Sequence, residues 1–471
     1  MRIFEVCDGS VKIFGGTILK IKRKKGQTKF YALGLPLFKI NNPFDKLNKE
    51  FAENTDFDVR KFDEKISDIT KNYKNLLKCK INNKRIAFLA TKIYDMGGHT
   101  KWMRDMQKTF CNQYDEALFL TTTTTSRKAA PQTLEYIKKI SDIVTFRQFS
   151  CSAERSIREI YDAIVSYAPK ALFVFIHTDD FIATAVLALL KKHTKIKIFF
   201  VNHATHRPAL AMSFADLVLE ETPSSAYVTQ NLRKIAQTHI VGLISKPEEE
   251  NPHFTQAEID KTRQKIGIPK GAICTMSGAA SYKFFDDNGS RYFGMVKKLL
   301  SEHQNVYHVV ISKFRDFEAE IVKKMFENAP VKNRLILLPY QENYELYFKS
   351  ADLFIDSFPM SSALAFIDLM RLRVPYVVKI NTENSALSFH EYQAKDFEYM
   401  YESIKDFYSG IEKLLADENL RKAMCEKNYQ HYIENYEPKA AEKILDKVIN
   451  CDDFSTIYDK LDKNIKYHFQ L

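Results

Sequence analysis

The chain has 471 residues, 45% hydrophobic and 27% charged, with only 14 Gly and 14 Pro, which allows two ordinary cores and excludes a disordered or fibrous chain. Lys plus Arg number 70 against 59 Asp plus Glu, and the net charge of +11 favours anionic partners such as phosphorylated ligands or acidic lipid. Seven Cys without a C-x-x-C pair argue against a disulfide framework or structural zinc, and no aromatic RNA-binding signature or Arg-rich arm points to nucleic acid.

The first residues, Met1-Arg2-Ile3-Phe4-Glu5, lack the apolar core and cleavage site of a signal peptide. Residues 11 to about 40 read as strands: Val11-Lys12-Ile13-Phe14, then Thr17-Ile18-Leu19-Lys20-Ile21-Lys22, a basic turn Arg23-Lys24-Lys25-Gly26, and Lys29-Phe30-Tyr31-Ala32-Leu33. Apolar residues alternating with Lys predict a hairpin with one wet, positive face. Such a ribbon suits peripheral contact with an anionic membrane, at about 1 kcal/mol per Lys near the surface; a solvated hairpin cap is the plainer reading. Residues 45–80 are charged and helical in pattern, a connector that completes an N-terminal extension over 1–80.

A first α/β domain, 81–242, opens on the buried-strand run Lys84-Arg85-Ile86-Ala87-Phe88-Leu89-Ala90. Further runs at 117–120, 171–176 and 196–201 alternate with amphipathic helices near 132–140, 153–167 and 181–192. This alternation predicts right-handed βαβ units and a doubly wound sheet. The longest apolar run, 181–190, is half of the about 20 residues a bilayer span needs. A cytoplasmic protein, at most peripheral on the inner membrane face, is therefore expected.

Residues 243–270, with Pro247, Pro252 and Pro269, read as a linker. The pattern restarts over 271–440, with strands at 272–277, 307–312, 335–338, 353–355 and 376–379 and helices near 290–302, 315–328, 341–349 and 363–372. From 403 the chain is mainly helical, and 441–471 form a helical tail. The expected fold class is α/β: two doubly wound Rossmann-like domains with an N-terminal β-hairpin and helical extension and C-terminal helices.

Open α/β sheets bind ligands outside the carboxyl ends of their strands, so the loops after the strands carry the candidate chemistry. In Asp95-Met96-Gly97-Gly98-His99, Gly97 and Gly98 permit close approach of a ligand to the backbone. His99 offers a near-neutral pKa for proton transfer, or is simply the neighbour of a helix cap. The absence of G-x-G-x-x-G weighs against a nicotinamide enzyme. Two further loops carry His177-Thr178-Asp179-Asp180 and Asn202-His203-Ala204-Thr205-His206. One short His pair is a weak metal pattern, so acceptor binding or core hydrogen bonding is preferred for His177, His203 and His206. In Ser277-Gly278-Ala279-Ala280-Ser281-Tyr282-Lys283 a lysine beside a small-residue loop suits the phosphate charge of a leaving group. In the segment 351–368 a buried strand meets Pro359, then the turn Met360-Ser361-Ser362-Ala363, then a helix. Free amides over 361–365 suit a diphosphate, and Asp368 suits a ribose; an ordinary βαβ turn with a Ser cap is the alternative. The Asp-x-Asp triplet Asp56-Phe57-Asp58 lies in the charged connector, which favours a metal-independent mechanism.

The stretch 351–378 resembles the donor-binding segment of GT-B glycosyltransferases, most closely O-linked N-acetylglucosamine transferases and bacterial cytoplasmic N-glucosyltransferases. Asp356-Ser357-Phe358-Pro359 is similar to their turn before the diphosphate-capping helix, and Asp368, seven residues before Pro375, stands at their ribose-binding Asp. Tyr282-Lys283 resembles the pair that contacts the donor diphosphate. Gly97-Gly98-His99 resembles the first-domain loop facing the substrates, and Asn202-His203-x-x-His206 a stretch in related bacterial enzymes. Leu35-Pro36-Leu37-Phe38-Lys39-Ile40 and the Lys-rich strands look like a module of lipopolysaccharide and capsule glycosyltransferases. Two departures stand out. Met360 and Asp368 occupy the places of a common Glu pair eight residues apart, while Glu383 and Glu391 have that spacing but lie beyond the next strand. Arg373 replaces the usual Gly before the Pro.

The resemblance, over about 84–440, implies transfer of a sugar from a nucleotide-diphosphate sugar to a cell-surface glycan, glycolipid or protein acceptor, with neither cofactor nor metal. It implies Tyr282, Lys283, Ser361, Ser362, Ala363 and Asp368 at the donor, Gly97, Gly98 and His206 at the acceptor loop, and His99 as base, with His177 and His203 as alternatives. A nucleotide-sugar epimerase, a polyol-phosphate transferase and a non-catalytic sugar-nucleotide-binding subunit remain open.

Overall fold

The computed structural model describes residues 4–7, 10–13, 16–24, 27–32, 35–41, 44–94, 98–110, 112–121, 131–146, 153–245, 251–286, 289–362, 364–383, 390–394 and 396–461. The chain divides into two compact units. The first comprises Met1–Thr100, Phe110–Leu219 and Thr229–Gln237; the second comprises Lys101–Thr109, Glu220–Val228 and Thr238–Leu471.

The strands β1 (Phe4–Cys7), β2 (Ser10–Ile13), β3 (Gly16–Lys24), β4 (Gln27–Ala32) and β5 (Leu35–Asn41) form an antiparallel meander in that order. The expected hairpin is thus the middle of a five-stranded sheet. Pro36, which cannot donate to a ladder, lies on the outer strand beside a register shift at Phe30/Tyr31.

The helices α1 (Asp45–Ala52) and α2 (Arg60–Thr70) turn Leu47, Phe51, Phe62 and Ile66 inward. These residues join one core with Phe181, whose ring centroid is 5.9 Å from that of Phe51. The segment read as a charged connector is therefore partly core, because most of its charges occupy the outer faces of two amphipathic helices. Asp63, buried on α2, accepts hydrogen bonds from Ala211 N at 2.8 Å and Ser213 Oγ at 2.6 Å.

The chain continues through β6 (Asn82–Ala90), α3 (Gly98–Phe110), β7 (Asp115–Leu120), α4 (Pro131–Ile140), β8 (Ser141–Thr145), α5 (Ala153–Tyr167), β9 (Pro169–Phe175), α6 (Phe181–His193), β10 (Lys197–Val201), β11 (Leu217–Glu220), α7 (Pro223–Tyr227) and β12 (Thr238–Ile240). The seven strands are ordered β12-β11-β10-β9-β6-β7-β8, and β8 through β11 pair in parallel. The order reverses between β6 and β9, the switch point where doubly wound sheets open a crevice. Residues 181–190 are buried without exception, which explains a helix that is apolar on every side. Among the described residues no helix is long and apolar enough to cross a membrane.

The second sheet is assembled from α8 (Gln256–Lys265), β13 (Ile273–Gly278), α9 (Arg291–Glu302), β14 (Val306–Ile311), α10 (Asp316–Phe326), β15 (Leu335–Leu338), α11 (Tyr344–Lys349), β16 (Leu353–Ile355), α12 (Ala365–Arg371), β17 (Tyr376–Lys379) and β18 (Met400–Tyr401). The order β15-β14-β13-β16-β17-β18 is parallel throughout and reverses between β13 and β16. Helices α13 (Ile404–Ala416), α14 (Glu418–Asn435) and α15 (Pro438–Asn450) follow. Inside the expected linker, α8 begins at a capping box in which Thr255 Oγ1 accepts from Glu258 N at 3.3 Å and Glu258 Oε2 accepts from Thr255 N at 2.8 Å.

Candidate functional site

In the second unit, β13 ends at Gly278, where an added Cβ would stand 2.9 Å from the Phe348 ring, so only glycine permits this packing. The 3₁₀ turn that follows holds Tyr282 outward, at 53% exposure, and directs Lys283 inward. Lys283 Nζ donates to the Ser361 carbonyl at 2.7 Å. Burial pulls this lysine down to about 8, against the opposing fields of Asp356 and Glu221. Asp356, at the carboxyl end of β16, accepts from Ser361 Oγ and Ser362 N, both at 2.8 Å, and burial lifts it to about 6. Glu221, just past β11, accepts from Tyr392 OH at 2.6 Å, and burial lifts it to about 7.

The expectation of free amides over 361–365 is corrected at Ser362 and Ala365. Ser362 N is taken by Asp356 and Ala365 N donates to Ser362 O at 3.4 Å, while the Ser361 and Ser362 hydroxyls meet Asp356 and Ser357. A carboxylate buried at a strand end must be satisfied, and this turn supplies the nearest donors. Helix α12 runs over Ala365–Arg371, against the expected 363–372. Ala363 lies outside the described residues.

Asp368 is buried on α12. It accepts from Lys101 Nζ at 2.8 and 2.9 Å, Tyr344 OH at 2.9 Å and Arg371 Nη2 at 3.1 Å. A ribose hydroxyl reaching it has to displace one of these donors. Of the Glu pair with the familiar spacing, Glu391 accepts from Ser224 N at 3.0 and 3.1 Å, and Glu383 is exposed.

In the first unit three imidazoles converge past the ends of β6, β9 and β10. The His99 ring lies 4.5 Å from that of His203 and 6.4 Å from that of His177. His99 Nε2 is 2.9 Å from the Phe175 carbonyl, so that nitrogen carries the proton and Nδ1 is left as the basic atom. Tyr94 OH meets His177 Nε2, and His203 Nδ1 is 3.2 Å from the Val201 carbonyl. Burial pulls His99 down to about 4, His177 down, and His203 well down with help from His99. The near-neutral pKa expected for His99 is thus corrected: clustering in a desolvated site keeps the ring uncharged. Gly98 is exposed at the start of α3 and His206 is exposed on its loop, while Gly97 lies outside the described residues.

Among the described residues no group of three or more His, Cys, Asp or Glu is arranged to hold a metal ion. In the Asp56-Phe57-Asp58 triplet, Asp58 pairs with Arg60 at 2.6 Å.

Sequence reading singled out Lys283, Ser361, His99, His177 and His203, and the structure joins the first two in one cluster and the three histidines in another. It missed Glu221, Tyr392, Lys101 and Tyr344. The one available signal was the acidic pair Glu220-Glu221 closing the apolar run Leu217-Val218-Leu219. Each cluster lies past the carboxyl ends of parallel strands at its sheet's switch point.

No family model and no curated protein matches the sequence. Among solved structures, the chain is similar to a glycosyltransferase from Rickettsia africae, with TM-score 0.62 and 12% identity over 79% of this chain and 100% of that one. It is similar to HepE of Anabaena in complex with UDP and glucose, with TM-score 0.60 and 12% identity over 78% and 99%. A third likeness is to the O-GlcNAc transferase of Thermobaculum terrenum, with TM-score 0.52 and 11% identity over 86% of this chain and 76% of that one. At such identities the likeness establishes the fold, which is GT-B, two Rossmann-like domains in succession.

Proposed function

We propose that this GT-B chain is a glycosyltransferase that moves a sugar from a nucleotide-diphosphate sugar to a glycan, glycolipid or protein acceptor without a metal ion. The observation that carries the reading is Lys283, a partly buried cation at the switch point of the second sheet, fixed on the Ser361 carbonyl. Solved structures of the same fold include HepE crystallised with UDP and glucose, which supports a nucleotide sugar as donor.

As the bond from the anomeric carbon to the diphosphate oxygen breaks, negative charge grows on the leaving group. A cation already in place stabilises that charge without reorganising solvent. Tyr282, exposed beside Lys283, offers a ring and a hydroxyl to the donor. His99, uncharged at neutral pH, presents Nδ1 to receive the acceptor's proton, with His177 and His203 as the alternative bases. Lys20, Lys22, Arg23 and Lys24 on β3, with Lys29 on β4, support peripheral contact with anionic lipid.

A thermal-shift panel of nucleoside diphosphates and nucleotide sugars, followed by an assay of nucleoside diphosphate release with acceptor pools, tests this reading. A ligand that stabilises the wild type but not Lys283→Ala, and whose sugar is transferred, supports it. Equal stabilisation of the variant overturns the donor site, and turnover without any acceptor favours an epimerase.

A further inference from the structure

The second unit holds a cavity of about 420 Å³ at the opposite end of its sheet from Lys283. Lys349, which ends α11 shortly before β16, lines it together with Arg371 and Arg373, which precede β17. The walls are therefore at the amino ends of two adjacent parallel strands. His253 adds a further basic group, Phe254 and Tyr429 add rings, and among the described residues no Asp or Glu lines the cavity.

Three features set this wall apart from an ordinary surface. The Arg373 backbone sits at φ 50°, the left-handed region that residues with a Cβ resist. Its guanidinium lies 3.5 Å from the Tyr429 ring centroid, and its Nε is 3.3 Å from Glu426, with 44% of the side chain still exposed. Arg371, its side chain fully buried, binds Asp368, Glu345 and Asn251, and its Nε has no hydrogen-bond acceptor among the described residues. Lys349 Nζ donates to the Leu372 carbonyl at 2.8 Å, and burial pulls this ammonium below the ordinary lysine range. An arriving anion offsets that desolvation. The volume matches the pockets that enclose small organic ligands.

We infer that this cavity is a second ligand site, taking a phosphorylated small molecule on Lys349, Arg371 and Arg373. Planar guanidinium groups suit phosphate oxygens by paired N–H donors, and Tyr429 keeps the Arg373 plane oriented. Arg371 also bonds to Asp368, so an occupant touches the network that carries the proposed ribose-binding carboxylate.

The test is calorimetric titration of the full chain with glucose 6-phosphate and with inorganic pyrophosphate, beside co-sedimentation with phosphatidylglycerol vesicles. Arg373→Gly suits the left-handed backbone, so it removes the guanidinium while relieving backbone strain. At least one soluble phosphate is expected to bind saturably, with affinity falling about tenfold or more in Arg373→Gly and in Lys349→Met but not in Lys283→Ala. Absence of binding by both phosphates, affinity unchanged in Arg373→Gly, or loss confined to Lys283→Ala overturns the inference. Vesicle binding without a response to either soluble phosphate overturns it as well.

Discussion

Lys283 Nζ is 2.7 Å from the carbonyl oxygen of Ser361, whose own hydroxyl donates to Asp356 at 2.8 Å. Lysine and buried carboxylate thus share one serine, and neither is left without a partner in a desolvated place. This serine holds the cation at the switch point of the second sheet.

Lys283→Met is expected to lower kcat/KM for the nucleotide sugar by about 10²–10³, the usual scale for removing one stabiliser of a departing anion. With its lysine at about 8 rather than the ordinary 10.5, the wild type should bind a nucleoside diphosphate less tightly as pH rises through 8. Lys283→Arg should bind independently of pH there, since a guanidinium stays charged. Calorimetry across that range decides; a flat wild-type profile contradicts the assignment.

His99→Gln keeps a donor to the Phe175 carbonyl and removes the basic Nδ1. Turnover should fall about 10²–10⁴ with little change in donor affinity. Because His99 lies at about 4, wild-type turnover should show no titration near the ordinary imidazole value of 6.5. Full activity in His99→Gln would move the base to His177 or His203.

His308 is fully buried, its two nitrogens 2.8 Å from Thr275 Oγ1 and 2.8 Å from Tyr292 OH, and burial pulls it down to about 3. Between about 3 and 6.5 the unfolded chain holds a proton that the folded chain does not. Stability should therefore fall as pH falls through that window, by up to about 1.4 kcal/mol per pH unit from this residue. Urea denaturation at several pH values should show a shallower acid slope in His308→Leu. The same slope in both proteins refutes the account.

Asp63→Ala leaves Ala211 N and Ser213 Oγ without their acceptor, with Ala211 at φ 75°, and should cost about 2–3 kcal/mol in denaturant unfolding. Burial lifts Asp63 to about 6 from an ordinary 3.8. Between those values the folded chain holds the extra proton, so this residue's contribution declines as pH rises through them. Asp63→Asn should remove that dependence; a variant that retains it argues against Asp63 as the source.

Much of the architecture was legible because buried parallel strands announce themselves as short apolar runs such as 171–176 and 196–201. The helical faces of 45–70 were legible too, in Leu47 and Phe51 and in Phe62 and Ile66, but the surrounding charge obscured them. The Thr255-x-x-Glu258 signature likewise marked a helix inside an apparent linker.

Local pattern determined the elements, since one face of a strand or helix returns to the core at a fixed residue period. It also determined which loops end parallel strands, and so where His99, His203 and Lys283 fall. Only the tertiary structure decided that Tyr392 reaches Glu221, 171 residues earlier, and that Lys101 reaches Asp368, 267 residues later. It alone decided that the Ser362 amide serves Asp356 and that the three imidazoles are uncharged. The reason is that desolvation and hydrogen bonding depend on atoms within a few ångströms, contributed by chain positions that no periodicity links.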